Sequence, residues 1–168
     1  MAVLIKQGKV IPDLWYKVET IETAIDLSMN YSILPLSVLL QRSESSSSLE
    51  SFTDKWIFEE LLDKKLLGVW FTADLQPENL SQDVMQKFLS IPLLNIEIED
   101  FNDGRVFSFI RLLRTRYQYK GELRVSGQYL MDQIAMLKAC GVDSFVFSEG
   151  SDYEHALFIL SNTPENTF

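Results

Sequence analysis

Asp103-Gly104-Arg105 is a turn whose residue types suit anion chemistry. It opens a predicted helix, where unpaired backbone N–H groups and the helix dipole favour negative charge. Arg105 adds a guanidinium that can grip an oxyanion with two parallel bonds. Ser108 lies one turn further along. Gly127, after Ser126, opens the next predicted helix and offers a second such N-terminus. Two adjacent helix starts would make an anion pocket. The plainer alternative is that Asp103 is an N-cap and Gly104 a turn residue. The pattern is neither a glycine-rich dinucleotide fingerprint nor a P-loop.

These residues need elements to bring them together, and the chain supplies a regular rhythm from Leu66 onward. LLGVWFTA reads as a strand, followed by a turn at Asp74 and a helix from Pro77 to about Leu89. LLNIEIED is the next strand. A helix from Gly104-Arg105 to about Gln118 carries Val106, Phe109, Ile110, Leu113 and Tyr117 on one stripe. GELRVSG is a third strand, and a helix over Gln128 to Ala139 stops at Gly141. SFVFSE is a fourth. Ser151 to Glu154 fits a capping box opening the last helix.

Strand alternating with helix implies a mainly parallel sheet of about five strands in an α/β fold. Asn95, Glu97 and Glu99 alternate with apolar residues, as do Glu122, Arg124 and Ser126. One sheet face is therefore polar, which favours a partial-barrel-like sheet over a doubly wound open one. Arg124 should face Glu97 or Glu99 across neighbouring strands. The N-terminal hairpin or a second subunit would cover that face.

The earlier chain is less regular. Residues 1–18 read as a β-hairpin: Val3 to Lys6, a Gln7-Gly8 turn, and Lys9 to Ile11, interrupted at Pro12 and anchored by Trp15 and Tyr16. A short strand at Tyr31 to Leu34, a Ser-rich loop at residues 42–48 and a helix over Leu49 to Lys65 follow. Residues 163–168 read as a frayed tail. The whole is expected to be one domain, since 168 residues suffice for one core.

In parallel α/β folds, ligands bind at the carboxyl ends of the strands. That edge collects Thr72 and Asp74, the turn from Asp100 to Arg105, Ser126 to Gln128, and Ser148 to Ser151 with Glu149. His155, in the first turn of the last helix, joins them as a lone candidate base. Arg111, Arg114 and Arg116 lie further along their helix in different directions and are expected at the surface. Cys140 falls on the opposite edge and reads as a small buried hydrophobe.

Composition narrows the function classes. Cys140 and His155 are the single cysteine and histidine, so no disulfide, cysteine-based zinc site or histidine cluster can form. No metal and no cofactor are expected. A net charge of −9 argues against a nucleic-acid binder. Yet residues 101–124 hold six basic residues against two acidic ones, a local excess that would attract a small anion or an acidic partner. There is no membrane-length apolar run, and Lys6 and Lys9 follow a very short apolar stretch, so a cytoplasmic protein is expected.

The stretch DGRVFSFIRLLRTRYQYKGELRVSGQYLMDQIAMLKACGVDSF resembles a bacterial family of unknown function, number nine hundred and thirty-four in its series. DGR, the serine, RLLR, GELR, a glycine, DQ and the cysteine-glycine pair carry the likeness. The family usually has a second glycine where this chain has Val106, and the chain also differs at Val125 and Val142. The resemblance implies a putative-oxidoreductase label and a place beside sulfite reductase in sulfate assimilation. It fixes no catalytic residue. The expectation is thus an accessory factor that binds an anion or a partner reductase. The alternatives are an enzyme acting on a small molecule at the strand edge, or a structural homodimer module.

Overall fold

The computed structural model describes residues 2–18, 31–38, 40 and 59–164. The Ser-rich loop and most of the helix expected over residues 49–65 fall outside that range, as do residues 165–168 of the tail. The protein is mixed α/β, and its strands pair mostly in parallel. It divides into two compact units: Met1–Asp13 with Thr72–Asp74 and Asn95–Phe168, and Leu14–Phe71 with Leu75–Leu94.

In the first unit, β1 (Val3–Lys6) and β2 (Lys9–Ile11) form the expected hairpin. Gln7 and Gly8 take φ of 52° and 67°, the left-handed pair that a two-residue hairpin turn needs. β1 then runs antiparallel to β8 (Ser144–Phe147), which is parallel to β7 (Glu122–Gly127). β6 (Leu93–Ile98), which belongs to this unit from Asn95 onward, is next in order. Three helices follow the strands: α2 (Arg105–Thr115), α3 (Ile134–Cys140) and α4 (Tyr153–Asn162). Leu123, Val125, Ile110, Leu113, Ile134 and Leu137 are fully buried among them.

In the second unit, β3 (Tyr16–Lys17), β4 (Ser32–Pro35) and β5 (Leu67–Thr72) are parallel neighbours, with α1 (Gln82–Ser90) after β5. Phe88 of α1 packs on Phe71 with ring centroids 5.3 Å apart. At Gly68 an added Cβ would lie only 3.0–3.2 Å from Leu93, Ile33 and Trp15, so the bare backbone lets the side chains close over it.

Several expectations need correcting. Eight strands are present among the described residues, not about five. The hairpin joins the strand order through β1 and β8. Tyr16-Lys17 adds a strand, because Tyr16 N donates to Tyr31 O at 2.8 Å and Trp15 stacks on Tyr31. Those two aromatics lie in the second unit, where Tyr16 pairs with β4 and Trp15 packs on Tyr31. The helix expected from Pro77 is two elements: a 3-10 turn at Pro77–Asn79, then α1, whose N-cap Ser81 accepts a hydrogen bond from Val84 N. The Gln128–Ala139 helix likewise begins as a 3-10 turn at Met131–Gln133. α2 stops at Thr115, and Tyr119 turns back into the core, 2% exposed. The cap of α4 is Asp152, not Ser151; its carboxylate accepts from His155 N at 3.1 Å.

Candidate functional site

The polar face of β6–β7–β8 forms from residues that the alternation puts on one side. Lys6, Ser144 and Arg124 lie in register across β1, β8 and β7. Glu122, two residues before Arg124, collects all three: Lys6 Nζ donates to it at 2.6 Å, Ser144 Oγ at 2.6 Å and Arg124 Nη2 at 3.2 Å. Burial would raise the Glu122 carboxyl, but the Lys6 and Ser144 hydrogen bonds and the Arg124 charge outweigh it and hold the pKa below the usual value. Arg124 is 2% exposed and reaches Asp13 at 3.0 Å. Its carboxylate partners are thus Asp13 and Glu122, which replaces the expected pairing with Glu97 or Glu99. Asp13, just past the hairpin, brings the N-terminal segment onto the polar face. Higher on that face, Asn95 Nδ2 donates to Ser126 Oγ at 2.9 Å.

A second cluster holds the same end of the strands. Arg114, 6% exposed, donates from Nε to Gly141 O at 3.1 Å and from Nη1 to Tyr119 O and Gly121 O at 2.7 and 2.9 Å. Its Nη2 donates to Asp143 at 2.5 Å. The expectation that Arg114 is a surface residue is wrong. It follows Leu113 and sits one turn beyond Ile110, on the border of the apolar stripe, and the chain after α2 folds back around it. Lys138, also buried, donates to Leu160 O and Thr163 O at the end of α4, where a cation meets the negative end of the helix dipole. These contacts tie the amino-terminal edge of the strands to the ends of α2, α3 and α4, and the geometry is that of a clamp.

The opposite, carboxyl-terminal edge is where the sequence places its site. Asp103 and Arg105 do meet: Nε and Nη2 of Arg105 donate to the two carboxylate oxygens, each at 2.8 Å, and Arg105 N donates to Asp103 at 3.1 Å. The Arg105 hydrogen bond holds the Asp103 carboxyl below its usual pKa, and Asp103 raises that of Arg105, with a smaller contribution from Asp74. The turns after β5 and β6 therefore come together, and Thr72 hydrogen-bonds Asp74. Arg105 is exposed and its guanidinium is already satisfied by its own turn. Gly104, with φ −66° and nothing near a notional Cβ, is an ordinary turn residue. Gly127 differs: at φ +93°, a Cβ would lie 2.3 Å from Ile98 O, and Gln128 N donates to that same carbonyl at 2.6 Å. Its glycine serves the close approach of β7 to β6. Ser108, Glu149 and His155 are exposed.

Two residues at this edge are not among the candidate site residues, although Gln133 belongs to the DQ pair of the family likeness. Gln133 joins two loops with one side-chain amide, accepting from Leu130 N at 3.0 Å and donating to Phe101 O at 2.8 Å. It thereby fixes Phe101 and Leu130, 42% and 43% exposed, beside the Asp103–Arg105 pair. Tyr129 donates to Val146 O at 2.8 Å and packs edge-on against Phe145 and Phe147. Burial raises its pKa far above the usual value, so it acts as a structural hydroxyl. Cys140 is half-buried, and burial raises its thiol despite the charge of Arg111, the reverse of an activated nucleophile.

Fold and site together define a mixed α/β protein with a clamped, ion-paired edge and an open edge where apolar and charged groups stand side by side. The chain belongs to the DUF934 family: the model described as a bacterial protein of unknown function matches residues 68–166, more than half of its length. No curated protein and no solved structure matches it. Among the described residues, no helix is long and apolar enough to cross a membrane.

Proposed function

We propose that this protein is an accessory factor of reductive sulfur assimilation that docks a partner reductase on its open strand edge. The observation that carries the reading is the Gln133 bridge, which holds exposed Phe101 and Leu130 in place next to a charge pair. Apolar anchors on a fixed backbone with a polar surround are what a protein partner uses, since little loop entropy is lost on binding. The same edge suits a small anion less well, because Arg105 is already closed on Asp103. The sulfur context comes from the family resemblance, and sulfite reductase components are the partner class it implies.

The test is co-purification and biolayer interferometry with sulfite reductase components, comparing the natural chain with Phe101→Ala and Leu130→Ala. Both variants should fold normally. Loss of an anchoring contact should weaken binding roughly tenfold or more. Absence of any complex, or binding by both variants as tight as that of the natural chain, would sink the proposal.

A further inference from the structure

We infer that a cavity at the amino-terminal edge of β7 and β8 binds a small zwitterion of the α-amino acid class. The cavity encloses about 260 Å³, just under the ~300 Å³ at which drug-sized sites begin, so its occupant is small. Ile5, Phe145 and Leu160 give it an apolar floor. Five ionisable side chains line it: Lys6, Lys120, Lys138, Glu122 and Asp143. It lies at the opposite ends of the strands from Phe101 and Leu130.

Most of these charges are committed. Lys6 closes on Glu122, which also accepts from Ser144 and Arg124. Lys138 serves the end of α4. Two groups remain. Asp143 uses Oδ2 for both Arg114 and Leu123 N, which leaves Oδ1 without a protein partner among the described residues. Desolvation already raises that carboxyl above its usual pKa, so an added donor is favoured. Lys120 is exposed, and its ammonium has no carboxylate partner among the described residues.

One open carboxylate oxygen, on the Arg114-paired Asp143, and one ammonium without a carboxylate partner among the described residues thus belong to residues lining one small cavity. A lone anion would meet Lys120 but lie against two carboxylates. A lone amine would meet Asp143 but face three ammonium groups. A ligand carrying both charges answers both groups, with its ammonium on Asp143 and its carboxylate on Lys120.

Calorimetric titration and thermal shift of the full chain against the free L-amino acids test this, with acetate and methylamine as half-ligands. At least one amino acid should bind and raise Tm, while neither half-ligand does. Lys120→Gln alters an exposed side chain, so it should keep the ligand-free Tm and lose about tenfold or more in affinity. Asp143→Asn would disturb the Arg114 pair, so that contact is tested on the ligand: the matching α-hydroxy acid should bind at least about tenfold more weakly. No binding by any amino acid, undiminished binding by Lys120→Gln, or equal binding of acetate would each overturn the inference.

Discussion

Arg105 and Arg114 stand near the two ends of α2, and in the sequence they look like members of one basic segment. Arg105 closes a two-bond pair with its own turn, in open solvent. Arg114 is buried and holds three carbonyls and a carboxylate from two separate stretches of chain, 119–121 and 141–143. The first arginine is satisfied locally, within its own turn. The second is where the α2–β7 connection, the end of α3 and the start of β8 are tied together. Charge density along a sequence thus says little about a patch, because the partners that neutralise a buried cation come from elsewhere in the chain.

Removing Arg114 should therefore give the largest effect. Arg114→Ala leaves three carbonyls and Asp143 without their donor; a buried acceptor left unpaired costs about 1–3 kcal/mol, and the Asp143 pair, whose carboxylate is partly exposed, adds little to that. Arg114→Lys should recover little of it, since an ammonium cannot span the same fork. Urea midpoints measure both, and a shift as small as that of Arg105→Ala would erase the contrast between the two ends.

Gly127→Ala comes next. The side chain would meet the Ile98 carbonyl at a positive φ, and strain of this sort costs of order 1–3 kcal/mol. Gly104→Ala, the other glycine of the sequence-read anion pocket, meets nothing and should stay within about 0.5 kcal/mol of the natural chain. Equal destabilisation by the two would mean that Gly104 also serves a close approach.

The pH response separates the two carboxylates of the clamped edge. Glu122 titrates below its reference value of 4.5 in the folded state. Its stabilisation is complete above pH 4.5 and is lost as pH falls through the depressed folded value. Asp143 is raised above 3.8, so its contribution has the opposite sign: it is most favourable below pH 3.8 and is lost as pH rises through the folded value. Glu122→Gln should therefore flatten the acid limb of a Tm profile below pH 4.5, whereas a variant at Asp143 should not. An unchanged acid limb in Glu122→Gln would show that the Lys6, Ser144 and Arg124 contacts do not set that titration.

Much of the frame was legible because it rests on local signals. The hairpin came from Gln7-Gly8, the βα rhythm from alternating apolar runs, and the end of α3 from Gly141. What escaped depends on distant partners or on very short pieces. A two-residue strand such as β3 has no periodicity to read, and it exists because Tyr31 offers a carbonyl. Ser81 splits a helix that Pro77 alone suggested would be continuous. Arg124 was correctly placed on a polar face, but its partner Asp13 lies 111 residues away. The strand-end rule brings the Asp74 and Asp103 turns to one edge, while the role of Gln133, which ties two loops there, depends on Phe101 O, a partner 32 residues away that the DQ pair does not reveal.

The smallest expected effect is on Arg105 itself, and it bears most directly on what the open edge is for. Arg105→Ala breaks an exposed pair whose partner keeps its solvent contacts, so the urea midpoint should not move. If the edge docks a protein, the substitution should alter the rate of association and its salt dependence, because an exposed charge at the margin of an interface steers encounter more than it holds the complex. Phe101→Ala should instead speed dissociation, as loss of a packed anchor does. Association kinetics at two salt concentrations distinguish the two. If Arg105→Ala and Phe101→Ala both acted on dissociation alone, Arg105 would have to leave Asp103 and enter the interface, and the local pair that sets it apart from Arg114 would be only its resting state.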